Sequence, residues 1–175
     1  MEKKTIINKE PSFIQAINIS KEWCKQWEDD LLSDEVLADQ ISELIKTKSG
    51  LRGFFAYTLS DTNCSLLDKL PSSLVFKLRE LGENIVDITI KNLCMSTAQV
   101  ITHKRDENIS YAEISEEISN RCINLLKELD TNLVTKLINK VIKDIDMMGN
   151  SIDNTIKYDS DQKNLIREKI KEIAN

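Results

Sequence analysis

The sequence predicts an all-α fold, a single-domain bundle of about six to eight helices around one central, nearly uncharged helix over roughly residues 84–103. Three observations predict it. Helix breakers are scarce, with two prolines and four glycines in 175 residues. Apolar residues recur at intervals of three and four along most of the chain, the spacing that places side chains on one helical face. From Asn84 to His103 the only formal charges are those of Asp87 and Lys91, as expected of a helix surrounded by others. The one domain takes in residues 1–175, with a short flexible N-terminus over about the first ten residues.

The first helix opens at Ser12 as N-cap, and Phe13, Ile17, Cys24 and Trp27 recur along it, with Trp23 and Trp27 as aromatic core anchors. Ser33, with Asp34 and Glu35 in a first turn that suits the helix dipole, starts a second helix. Its apolar stripe is Leu37, Ile41, Leu44 and Ile45, and Gly50 is expected to end it. Residues 51–59 fit a helical face through Leu51, Phe54, Phe55 and Leu59 but also have high strand propensity; the reading leans to helix. Pro71 introduces a short helix carrying Leu74, Leu78 and Leu81, stopped at Gly82.

The central helix follows, its Asp87 and Lys91 four apart and able to pair on one narrow strip. Ser110 and Glu113 form a capping-box pattern that launches Ile114, Ile118, Cys122, Leu125 and Leu129. Asp130 caps the next helix after a very short joint, so the two fold back as an antiparallel hairpin. Val134, Ile138, Val141, Ile145 and Met148 are the apolar stripe of that helix, and Gly149 closes it. Beyond a polar loop over 150–158, Asp159 and Gln162 cap a last helix with Leu165, Ile166, Ile170 and Ile173 inward.

The totals exclude several classes of function. A net charge of -5 and a pI near 5.1 repel phosphate backbones on average, and 5% aromatic residues leave few stacking platforms, so nucleic acid is a disfavoured partner. No stretch reaches the roughly 18 apolar residues that cross a bilayer, and Met1 to Glu10 lacks a signal-type apolar run. The expectation is a cytoplasmic protein with no membrane insertion. In that reducing compartment the well-separated Cys24, Cys64, Cys94 and Cys122 read as small buried hydrophobes.

Chemical signatures are absent. The single histidine, His103, and the lack of finger-type cysteine spacing argue against a metal site, and no cofactor pattern is present. A thiol–imidazole dyad of Cys94 and His103 fails on geometry, because nine residues of helix separate them by about 13 Å on opposite faces. Lys46, Lys48, Arg52 and Gly53 surround a G-x-x-G turn that could offer N–H groups to an anion at a helix start. The more specific pattern is Thr89, Asn92, Ser96, Gln99 and His103, which share one polar stripe of the central helix at intervals of three and four. Amides and hydroxyls without Lys or Glu suit burial, either as hydrogen bonds to neighbouring helices or as the lining of a ligand pocket.

These features lead to three functional expectations. The first is a non-enzymatic interaction or regulatory adaptor module that binds a protein partner or itself. The second is a small-molecule-binding bundle with its pocket beside the central helix. The third is an enzyme whose carboxylates converge only through the fold.

Overall fold

A computed structural model describes residues 10–148 and 157–173. Among the described residues there are nine helices and no strand: α1 Phe13–Glu28, α2 Asp34–Leu44, α3 Lys48–Ser60, α4 Leu66–Lys69, α5 Ser72–Glu80, α6 Glu83–Arg105, α7 Ile109–Glu128, α8 Thr131–Met148 and α9 Ser160–Lys171. The all-α class is therefore established, with eight longer helices and the single turn α4. The ambiguous residues 51–59 lie inside α3. None of the described helices is long and apolar enough to cross a membrane. The expected flexible start (residues 1–9), the stop at Gly149 and most of the expected loop over 150–158 lie outside the described residues. The chain divides into two compact units, one ending at Lys77 and the other beginning at Leu78.

In the first unit α1 packs against α2 and α3. The face of α1 that is buried is Ala16, Ser20 and Cys24, while Phe13 is exposed and Ile17, Trp23 and Trp27 are half-buried. This corrects the expected stripe, and the reason lies across the contact at Gly53. A Cβ added there would sit 2.5 Å from the Ala16 Cβ and 2.9 Å from the Phe13 carbonyl, so the two helices approach closely enough that only small residues fit between them. Gly50 is also relocated. It sits in the first turn of α3, not at the end of α2, because Thr47 caps α3 by accepting from the Gly50 N–H at 3.0 Å. A Cβ at Gly50 would collide with the Leu44 carbonyl, so the residue permits the tight α2–α3 corner.

The corner between α1 and α2 is equally tight. Asp30 adopts a positive φ of 57°, the left-handed conformation that ends many helices. The Leu31 N–H then donates back to the Gln26 carbonyl at 2.8 Å, and the Trp27 indole donates to the Asp34 carboxylate at 2.7 Å. Ser33 caps α2 through the Val36 N–H, as its sequence position predicts. The outcome is a braced turn with Leu31 at its apex, 73% exposed.

In the second unit α6 packs against α7, α8 and α9, which makes it the central helix of that unit. Its Ile85, Val86, Ile90, Leu93, Cys94, Ala98 and Val100 are all buried, and Asp87 and Lys91 pair at 2.8 Å on the remaining strip. The start of α7 differs from expectation. Glu107 at φ 56° turns the chain, Asn108 becomes the N-cap by accepting from the Tyr111 N–H, and Ser110 lies within the first turn. Asn and Ser are comparable caps, so the sharp reversal after Arg105 decides between them. Asp130 accepts from the Leu133 N–H at 2.7 Å and begins α8 after the two-residue joint. Asp159 and Gln162 complete the capping box of α9. Arg105 then fixes α9 to the end of α6 through Asp159 at 2.6 Å and Asp161 at 2.7 Å.

Candidate functional site

The expected antiparallel hairpin of α7 and α8 does not form: after the short joint α8 packs against α6 and α9 and not along α7, so only the last turn of α7, with α8 and the last turns of α9, borders the space between them. Between them runs a groove of about 540 Å³. Its floor is apolar: Leu126 from α7, Val134 and Ile138 from α8 and Ile170 from α9 are buried, and the half-buried Ile142 and Ile173 extend it. Val134, Ile138 and Ile142 are spaced by four, one ridge about 12 Å long at 1.5 Å per residue. Thr131, Thr135 and Asn139 form an exposed polar margin. Among the described residues the charged ones lining the groove are Lys127 and Lys171, in the last turns of α7 and α9. Among the described residues no thiol, imidazole or carboxylate lines it, so the chemistry these residues offer is recognition of an apolar surface with negative charge at its margin.

The polar stripe of α6 divides between buried and exposed positions. Thr89 and Ser96 are buried, Asn92 and His103 are half-buried, and Gln99 is exposed. Thr89 donates to the Ile85 carbonyl at 2.6 Å and Asn92 to the Ile88 carbonyl at 2.8 Å, bonds within their own helix. Ser96 reaches across to Ser119 of α7 at 2.9 Å, where Thr97 joins it at 3.2 Å and Ser119 itself donates to the Ser115 carbonyl. Sequence reasoning missed Ser115, Thr97 and Ser119 as members of this buried network. His103 stacks on Tyr111 with ring centroids 5.5 Å apart, at the end of the α6–α7 hairpin.

The contacts of the proposed anion-binding residues lie elsewhere. Lys46 pairs with Glu43, Lys48 is an exposed residue of the first turn of α3, and the Arg52 guanidinium lies 5.5 Å from the centre of the Phe13 ring. Gly53 is the contact point with α1. The N-terminal amide that Gly50 presents is already taken by Thr47.

All four cysteines are buried. The Cys24 thiol is hydrogen-bonded with Cys64, and that bond, together with burial, raises its pKa far above the ordinary range. Burial pushes Cys94 up to about 12 and raises Cys122 as well. Such groups remain neutral thiols at physiological pH and are poor nucleophiles. Among the described residues no group of three or more Cys, His, Asp or Glu side chains is arranged to hold a metal ion. A second cavity, of about 380 Å³, lies beside the α1–α2 corner and is lined by Trp27, Glu28, Asp34 and Lys69 among others. There Glu28 accepts from both the N–H and the hydroxyl of Ser65, and Lys69 lies over the Trp27 ring.

Fold and site together define an all-α protein with an apolar, lysine-margined groove on its C-terminal helices. The chain belongs to the family described as uncharacterised conserved protein UCP020893, whose profile matches residues 12–173. No curated protein and no solved structure matches the chain.

Proposed function

We propose that the protein is a non-enzymatic interaction module, regulatory or adaptor in kind and cytoplasmic, and that the groove of α7, α8 and α9 is its recognition surface. The observation that carries this reading is the groove's make-up: an aliphatic floor one helical ridge long, a neutral polar margin and two ammonium groups. This combination matches helix-in-groove recognition, in which side chains at i, i+4 and i+8 of an amphipathic segment enter an apolar furrow. The polar stripe on α6 supports the alternative of a ligand pocket less well, because Ser96 and Thr97 spend their hydroxyls on the contact with α7.

Fluorescence anisotropy with a panel of labelled amphipathic helical peptides, acidic and basic, tests the reading. Acidic peptides should bind the native protein and bind Thr135→Glu at least tenfold more weakly, with unchanged helical circular dichroism, since Thr135 is exposed. If no peptide in the panel binds in a way that Thr135→Glu diminishes, the groove is not a recognition surface.

A further inference from the structure

We propose that the groove's occupant is the α1–α2 corner of a second copy of this chain, an inference that rests on the interaction reading above and names its partner. The corner has the complementary chemistry. Leu31 at its apex is 73% exposed and Val36, one turn into α2, is 45% exposed, two aliphatic side chains held out towards water. Around them stand the exposed carboxylates of Asp29, Asp30, Asp34 and Glu35. The groove presents the converse, with Val134, Ile138 and Ile170 on its floor and Lys127 and Lys171 as the charged residues among the described ones that line it.

Rigidity favours the match. The corner is braced by the Leu31-to-Gln26 and Trp27-to-Asp34 hydrogen bonds, so Leu31 is presented in a fixed orientation and docking freezes little of the chain. The groove volume of about 540 Å³ accommodates two aliphatic side chains. Corner and groove are different surfaces, so the contact is heterologous: each copy offers one of each, and association proceeds head to tail. A knob of two side chains is small beside the roughly 1,200–2,000 Å² of a stable complex, so the association is weak and concentration-dependent.

Light scattering coupled to size exclusion, over a series of protein concentrations, tests the proposal on the full chain. The native protein should rise in mass with concentration, and more so in about 0.1 M than in about 1 M salt, where a shorter screening length weakens the charged margin. Leu31→Asp and Thr135→Glu, both at exposed positions, should each abolish the rise while leaving the helical content unchanged. Mixed in equal amounts, the two variants should recover a 1:1 pair and nothing larger, because the intact groove of one receives the intact corner of the other. A native protein that stays monomeric at every concentration overturns the proposal, as does a mass increase that neither variant reduces or a mixture that fails to pair. Acidic peptides that bind the groove of a strictly monomeric protein would leave the interaction module standing and remove self-recognition alone.

Discussion

Gly53 carries more of the first unit's architecture than its size suggests. Replacing a helical glycine by alanine ordinarily stabilises by about 1 kcal/mol. Here the new methyl would lie 2.5 Å from the Ala16 Cβ and 2.9 Å from a backbone carbonyl, neither of which can rotate away. Overpacking of this kind costs about 1–3 kcal/mol, so Gly53→Ala should lower the urea midpoint, and adding Ala16→Gly should recover part of the loss. An unchanged or raised midpoint would contradict the close approach. The same contact explains what was illegible at this scale. Ala16, Ser20 and Cys24 are smaller than Phe13, Ile17 and the tryptophans, whose stronger signals dominated the reading of α1, and only the contact of Ala16 with Gly53, far along the chain in α3, makes the small face the buried one. Asp159 and Gln162, by contrast, announce the start of α9 because a capping box is written entirely within four residues.

Between elements, the hydroxyl cluster of α6 and α7 is the most sharply testable contact. Ser119 touches Ser96 at 2.9 Å and Thr97 at 3.2 Å, both in buried surroundings. Ser119→Ala leaves those hydroxyls facing a methyl group and should cost about 1–2 kcal/mol of unfolding free energy. Because Ser96 and Ser119 share one bond, Ser96→Ala in the Ser119→Ala background should cost less than it does alone, which a double-mutant cycle measures. Additive losses would show that the two hydroxyls act separately. The nearly uncharged composition of α6 made its central place legible in advance, and the periodicity of Thr89 to His103 located part of its polar side. Ser115 and Ser119 escaped notice because two serines on an otherwise amphipathic helix carry no signal until α7 folds back along α6. The groove escaped for a related reason. Val134, Ile138 and Val141 read as an ordinary core stripe, and the further apolar Ile142 on the same helix was the one sign that the face is wider than a single neighbour needs.

For the whole molecule, the buried acids tie stability to alkaline pH. Cys94 ionises only at about 12 when folded, against an ordinary value of 9.0. Cys24, Cys122 and Tyr57 are raised in the same direction, Cys24 chiefly by its bond with Cys64 and the other two chiefly by burial. Above about 9 the unfolded chain therefore binds fewer protons than the folded one, and the unfolding free energy falls as pH rises. The contribution is complete below 9 and is lost progressively towards the folded values. Urea midpoints should be level up to about pH 8 and decline by about pH 10; a flat profile through this range would show the thiols to be accessible to water.

The groove is closed on one side by Ile170 and Ile173, which come some thirty residues after Ile138 and Ile142 on the other side. During synthesis the corner at Leu31 emerges first, and the groove proposed to receive it is not complete until α9 has left the ribosome and packed against α8. If the proposed self-association holds, nascent chains would display the corner before their own groove is complete, and the order of the helices would delay linkage between half-made copies.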